Sequence, residues 1–373
     1  MTVTDWDTVV GLPVEALDTP AVIIDLDRVD RNLIAMQGAV SAAGADFRVH
    51  IKTHKTPALA HRQLAAGAVG IAAAKLSEAE VFVADGIEDV VIAYPVYGFG
   101  KWERAARLAR DARLTVHVEN EAAIDGWEAA AKAAGVNLGV RVEINTGFDR
   151  SGVRPAEAVL LARQVEKARH LTLDGLTTHR SAFFAASGGR PLDDLGDEEG
   201  RIMTGVAESL RADGIEIRTV AGGSTPTARS FAQVVGTTEA CAGTYIFFDA
   251  GMHEIGACGW DQIAVSMLCT VVSVDDRRAT VDGGSKTFCK DGYGPHPMAF
   301  GRAVKGTAYL ATVTEEHGMV QLGEGDPAPQ VGDKLAFHPM HVCPTINLTD
   351  TLIGVRGGIV EEIFAVSARG KTW

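Results

Sequence analysis

Four short stretches of this chain carry residues whose types and spacing can do chemistry. In FRVHIKTHK, His50 and Lys52 stand two apart on a strand-like run and so point the same way, with His54 and Lys55 just beyond. A lysine whose pKa is lowered by burial and cationic neighbours becomes a nucleophile that forms a Schiff base with a carbonyl; the plainer alternative is a basic strand end in solvent. In AGGSTPTAR, Gly222, Gly223, Ser224 and Thr225 form a turn directly after the run IRTVA. Backbone N–H groups and hydroxyls of such a turn cradle a phosphate, although an ordinary N-capped strand-to-helix turn has the same sequence. NTGFDRSGV offers Arg150 either as a fixed cation or as half of a surface ion pair. In HVCPTINL, His341 and Cys343 share a face if the stretch is a strand, and an imidazole with a thiolate chelates a borderline-soft divalent ion such as zinc. Two ligands cannot close a structural site, so a metal there is an exposed, catalytic one; chance packing of the pair is the competing reading.

Elements that would position these residues are legible in the hydrophobic pattern. RVHIK, GIAAA, VVIAY, LTVHVE, VRVEI, LDGLTTH, IRTVA and ACAGTY are candidate strands, with Ala-rich amphipathic stretches such as SEAEVFVADG and WERAARLARDA between most of them. Eight strands alternating with helices predict an α/β fold, a (β/α)8 TIM-type barrel, with an open doubly wound sheet as the runner-up. Barrel chemistry gathers just past the C-terminal strand ends, which here are Lys52, Lys75, Tyr94, Glu119, Asn145, His179, Gly222 to Thr225 and Tyr245. AVIIDLD reads as a ninth strand pairing outside the barrel. After about residue 255 the helical period gives way to β-rich runs with Gly, Pro and Asp turns. The expected organisation is an N-terminal segment 1–20 packing with the β domain, a barrel 21–250, and a C-terminal all-β domain 251–373 that carries His341 and Cys343.

Composition bounds the function. The 373 residues include 35 Lys and Arg against 48 Asp and Glu, a formal charge of −13 with no basic cluster, which argues against binding nucleic acid or anionic membrane surfaces. Five cysteines without a CxxC pair do not form a disulfide framework and point to a reducing compartment. The acidic start lacks an export signal, and no apolar run approaches the roughly 20 residues that span a bilayer, so a soluble cytoplasmic protein is expected.

Taken together, the motifs DTPAVIIDLD, RVHIKTHKTP, RQLAAGAVGI, SEAE, DGGSK, EEHG, HVCPTINL and ARGK resemble, over nearly the whole length, the pyridoxal-phosphate enzymes of the alanine-racemase-like fold, in the branch of D-threonine aldolase and D-serine dehydratase. The resemblance implies that Lys52 holds pyridoxal 5'-phosphate covalently and, once freed, acts as the catalytic base. It implies cofactor contacts from Arg150 near the pyridine nitrogen, from His179, from the phosphate loop Gly222, Gly223, Ser224 and Thr225, and from Tyr245. His341 and Cys343 match the two protein ligands of a divalent metal, zinc foremost, with manganese or magnesium as alternatives. Two positions depart from the pattern: Val49 stands where the family has Pro, and Arg180 where Gly is common.

What the resemblance implies for activity is a lyase acting on a small D-configured β-hydroxy amino acid. Elimination of water gives a 2-keto acid and ammonia; the rival retro-aldol cleavage gives glycine and an aldehyde. In the family the second metal ligand tends to be Asp in the aldolases and Cys in the dehydratases, so Cys343 favours dehydration of D-serine or D-threo-3-hydroxyaspartate. His50 and Arg180 are candidate substrate contacts, Arg180 for a distal carboxylate, unless it pairs with the acidic run DDLGDEE at 193–199. A non-catalytic protein of pyridoxal-phosphate homeostasis and a plain racemase are the other readings, and neither needs the His-x-Cys pair. The family's habit also implies a homodimer.

Overall fold

The protein is described by a computed structural model over residues 6–180, 189–275, 278–289 and 299–373. The first strand is β1 (Ala21–Asp25). Eight more form a closed parallel barrel: β2 (Asp46–His50), β3 (Gly70–Ala73), β4 (Asp89–Ile92), β5 (Arg113–Val118), β6 (Leu138–Glu143), β7 (Leu171–Thr177), β8 (Thr219–Gly222) and β9 (Glu239–Ala242). They pair in sequence order, and closure comes where Phe47 on β2 stands opposite Ala240 on β9. Every expected barrel strand is present, and closure rules out the open sheet.

Alternation along the strands explains what the barrel holds. Phe47 and Val49 on β2, Val116 and Val118 on β5, and Val140 and Val142 on β6 are buried apolar positions. The residues between them, Arg48 and His50, His117, and Arg141 and Glu143, line a cavity inside the barrel. Because successive side chains point to opposite faces, one strand delivers an apolar row outward and a polar row to the barrel axis. The helix Glu121–Ala134 shows how the outer layer is built. Asn120 Oδ1 caps it by accepting from Ala123 N at 3.0 Å, Gly135 ends it at φ 68°, and its buried stripe is Ala123, Ile124, Trp127, Ala130 and Ala131.

The remaining strands, β10 (Val265–Val274), β11 (Arg278–Val281), β12 (Gly301–Ala303), β13 (Tyr309–Val313), β14 (Gly318–Gln321), β15 (Lys334–Pro339), β16 (Thr351–Arg356) and β17 (Ile359–Ala365), join β1 in a nine-stranded sheet. Its order is β11-β14-β13-β12-β15-β10-β1-β16-β17, and β11 also pairs with β10. β1 therefore does pair outside the barrel, antiparallel to β10 and parallel to β16. Residues 6–20 join the same sheet's core: Val9 and Leu17 pack with Ala21, Ile23, Leu268 and Ile353, and Gly11 N bonds to Val360 O at 2.8 Å.

By contacts the chain divides into two compact units. One comprises Ala35–Lys52, Pro57–Gly243 and Lys371–Trp373, and the other Met1–Ile34, Thr53–Thr56 and Thr244–Gly370. Among the described residues no helix is long and apolar enough to cross a membrane.

Candidate functional site

The C-terminal mouth of the barrel opens into a cavity of about 340 Å³. Lys52, His50, Tyr94, Glu119, Arg150, His179, Gly222 and Gly223 line it, as expected from strand ends. β2 ends at His50, so Lys52 lies in the turn beyond the strand, with its amide directed to His50 Nδ1 at 3.4 Å. Its Nζ has no hydrogen-bond or ion-pair partner among the described residues. Lys75 and Asn145, also anticipated at the mouth, do not line the cavity. Lys75 Nζ rests 3.4 Å above the Tyr94 ring, and Asn145 Oδ1 accepts from Gly147 N at 2.9 Å.

Beneath the mouth lies a buried ionic floor. Glu239 Oε1 accepts from Arg141 at 2.5 Å and lies 3.0 Å from Arg48 Nε. Arg48 also binds Asp89 at 2.8 Å, and Arg141 binds Asp174 at 2.7 Å. Burial alone would raise the Glu239 pKa, but Arg141 and Arg48 outweigh it and hold the carboxyl at about 2. Both guanidinium charges are thus compensated. Above them sit three imidazoles kept neutral. His117 is held at about 3 by burial and then by Arg141, and His179 at about 3 by burial, Lys52 and Arg150. His50 is lowered by burial and by Lys52. The mouth cation without a carboxylate partner among the described residues, other than Lys52, is Arg150, whose guanidinium lies 5.2 Å from the Phe148 ring centroid. Nearby Glu143 is raised by burial despite the Ser151 hydroxyl it accepts at 2.7 Å.

The glycine turn after β8 is shaped by close approach. A Cβ on Gly222 would stand 2.6 Å from the Phe231 ring and 3.0 Å from Thr178 Cγ2, and Gly223 has a φ of 84°. This leaves the backbone open to the cavity, as a phosphate-bearing ligand requires. One of the amides expected to point at a phosphate is used inside the protein, however. Ser224 N–H donates to Thr227 Oγ1 at 3.0 Å. Ser224 and Thr225 do not line the cavity, and the helix that follows is only Ala228–Gln233. Tyr245 is fully buried in the turn Thr244–Ile246 of the other unit.

Arg180, three residues past the end of β7, has NH1 3.1 Å from Glu198 Oε2, while Glu198 also meets Arg190 at 2.7 Å. Its guanidinium thus engages the acidic run rather than the cavity wall.

In the β-sheet unit, HVCPTINL is not a strand. Val342–Ile346 form a short helix that His341 precedes as N-cap, so the shared-face argument from strand geometry does not apply. The fully buried Asp249 fixes this turn by accepting from Val342 N at 2.9 Å and Met252 N at 2.8 Å. Cys343 Sγ lies 3.2 Å from Thr53 Oγ1 and 3.7 Å from Thr244 Oγ1. His341 and Cys343 are both half-buried, and among the described residues no three His, Cys, Asp or Glu side chains gather as a metal cluster. Two donors of this softness fit an open divalent site completed by water or substrate.

The sequence reading missed the cavity floor: Arg48, His117, Arg141, Glu143 and Glu239. For all but Glu239 the signal was the polar residue at every second position of FRVH, TVHVE and VRVE, which in a barrel strand must face the axis.

Comparison with known proteins agrees with this geometry. Residues 24–256 match the family model of the alanine racemase N-terminal domain, and residues 264–355 that of a putative serine dehydratase domain. D-threonine aldolase of an Arthrobacter species is 36% identical over 367 residues, which cover 96% of this chain and 95% of the relative. D-threo-3-hydroxyaspartate dehydratase of Delftia sp. (strain HT23) is 33% identical, covering 88% and 92%. A cysteine-to-alanine variant of D-threo-3-hydroxyaspartate dehydratase, solved in a metal-free form, matches with a TM-score of 0.87 at 30% identity over 97% of this chain and 100% of that one. The first family model alone spans more than half of the chain and both sequence relatives extend along most of it, so the chain belongs to the D-threonine aldolase and D-serine dehydratase family of alanine-racemase-like enzymes.

Proposed function

We propose that this protein is a pyridoxal-phosphate- and divalent-metal-dependent lyase that removes water from a D-configured β-hydroxy amino acid, giving a 2-keto acid and ammonia. The observation that carries the proposal is Lys52, whose amine lines the barrel mouth without a partner among the described residues, beside Arg150 and the Gly222–Gly223 turn. The cavity has room for a phosphorylated pyridine ring, and the missing side chains at Gly222 and Gly223 leave backbone where its phosphate would approach.

When bound, pyridoxal phosphate supplies a conjugated electron sink for the bonds at the substrate Cα, and a divalent metal supplies Lewis acidity to a β-hydroxyl. The chain's own contribution is positional and protonic. Lys52 is the residue whose amine would hold the cofactor, and its Nζ would serve as the base for the Cα proton. Arg150 is available to meet an anionic group, because the floor arginines are already neutralised by Glu239, Asp89 and Asp174. His50 and His179 offer hydrogen bonds without adding charge, since both are held neutral. His341 and Cys343 are the residues that would hold the metal.

The thiol at position 343 supports dehydration over cleavage, and the dehydratase relative acts on D-threo-3-hydroxyaspartate, as its name states. The Arthrobacter D-threonine aldolase, 36% identical, favours the second reading, retro-aldol cleavage to glycine and an aldehyde. The same family reading brings a homodimer and a cytoplasmic setting with it. The deciding experiment incubates the purified protein, loaded with pyridoxal phosphate and zinc or manganese, with D-serine, D-threonine and D-threo-3-hydroxyaspartate, with and without a chelator. Ammonia and keto acid in equal amounts, suppressed by chelation, are expected. Glycine and aldehyde as the products would replace the first reading by the second.

A further inference from the structure

Arg150 is carried by the loop 145–152 that follows β6, and a cation on a loop is only as well placed as the loop itself. The base of this loop is closed by main-chain bonds. Asn145 N donates to Val153 O at 2.8 Å and Val153 N to Glu143 O at 2.9 Å, which makes Ile144 and Val153 a parallel bridge. Inside the loop Asn145 Oδ1 accepts from Gly147 N at 2.9 Å, while the Asn145 amide donates to Asp149 Oδ1 at 2.9 Å. Asp149, with a φ of 56°, and Gly152, with a φ of 94°, turn the chain on either side of Arg150.

Two carboxylates of the barrel hold the residues just after Arg150. Glu143, the last residue of β6, accepts the Ser151 hydroxyl at 2.7 Å, and Glu119 Oε2 accepts Gly152 N–H at 2.6 Å. Glu119 is the single residue between Val118, where β5 ends, and Asn120, which caps the helix Glu121–Ala134, so its own backbone is fixed on both sides. A bond from a backbone N–H to an ionised carboxylate is shorter and stronger than one to a neutral oxygen. The chain passes this point only as glycine, because a Cβ on Gly152 would stand 2.8 Å from Asn145 N and 2.9 Å from Ile144 C. Glu119, Glu143 and Arg150 all line the cavity, yet among the described residues neither acid is ion-paired with Arg150. The acids bind the chain beside the arginine and leave its charge uncompensated.

We propose that Glu119 is a positioning residue of the cofactor site: by holding the Gly152 amide, with Glu143 on the Ser151 hydroxyl beside it, it fixes the loop so that Arg150 presents an unpaired charge to the cavity. The proposal rests on the reading of this cavity as a pyridoxal-phosphate site. Glu119 acts through the main chain and then through Arg150, and its carboxylate needs no contact with cofactor or substrate. Since Glu119 lines the cavity itself, direct contact is the competing role, and a double-mutant cycle separates the two.

The parent, Glu119→Ala, Arg150→Ala and the variant carrying both are freed of cofactor and titrated with pyridoxal phosphate, followed by absorbance. Each single variant should bind about tenfold more weakly than the parent, and the double variant no more weakly than Arg150→Ala alone. Glu119→Gln keeps one carbonyl oxygen for the Gly152 amide and should bind within about threefold of the parent. Hydrogen exchange of the segment containing Gly152, in the same cofactor-free proteins, should rise about tenfold in Glu119→Ala and stay at the parent's rate in Arg150→Ala, with the rest of the barrel unchanged in both. Losses that multiply in the double variant overturn the proposal, because Glu119 would then act without Arg150. So does a Glu119→Gln variant as weak as Glu119→Ala, which would put the charge itself on the ligand, and so does parent-like binding or unchanged exchange at Gly152 in Glu119→Ala, even if its melting temperature falls. If the parent itself takes up no pyridoxal phosphate, the functional reading fails and the role of Glu119 falls with it, whereas a parent that binds and a cycle that is additive sink only the positioning role.

Discussion

Replacing Glu239 by Gln tests the ionic floor directly. The carboxyl is 5% exposed and bridges Arg141 and Arg48, so the substitution keeps its volume but removes the charge common to both guanidinium groups. Its pKa falls from an ordinary 4.5 to about 2, and at about 1.4 kcal/mol per pH unit this corresponds to roughly 3 kcal/mol of stability at neutral pH. The figure agrees with the about 3–5 kcal/mol typical of removing one partner from a buried ion pair. The sign follows from the lowered pKa: the contribution is complete above about 4.5 and is lost as the pH falls towards 2. For a unit of this size roughly 3 kcal/mol is about 6–12 °C in melting temperature.

Calorimetry of Glu239→Gln and the parent, in parallel from pH 8 down to pH 4, should therefore show a constant gap of that order above pH 5 and a narrowing gap below 4.5. Arg141 and Arg48 would each retain one acid, Asp174 and Asp89, so the variant should still fold. A variant melting within about 2 °C of the parent at pH 7 would mean that the floor contributes nothing net, its desolvation cost cancelling its attraction. A gap that widens on acidification would refute the linkage argument itself.

Gly222→Ala should lower the melting temperature and weaken pyridoxal-phosphate uptake together, because the new methyl meets the fully buried Phe231 ring at 2.6 Å and overpacking of this kind costs about 1–3 kcal/mol; thermal shift and cofactor titration on the same sample check both. Arg180→Ala should leave the ratio of kcat/KM for D-serine and D-threo-3-hydroxyaspartate unchanged, since its guanidinium is engaged by Glu198. A loss of tenfold or more confined to the dicarboxylic substrate would instead make Arg180 the distal-carboxylate contact.

How far the sequence could be read follows from the range of the forces involved. Barrel strands such as VVIAY and LTVHVE carry their periodicity locally, so their number and order are legible without any partner in view. The same alternation contained Arg48, His117, Arg141 and Glu143, but their meaning depended on knowing that the strands close, because only then does the inward row share one cavity. HVCPTINL shows the opposite case. Its β-branched composition argues for a strand, yet the acceptor that starts its helix is Asp249, 93 residues earlier in the chain, and Pro344 is tolerated in a first helical turn.

GGST shows most plainly why a motif is not a site. Nothing within these four residues says that the Ser224 amide is taken by the Thr227 hydroxyl. Backbone donors in a glycine turn are available to a ligand only after the protein's own acceptors have been counted, and those acceptors are placed by tertiary packing. The turn's contribution to a phosphate site therefore lies chiefly in the room left by its two missing side chains, which the glycines themselves do record.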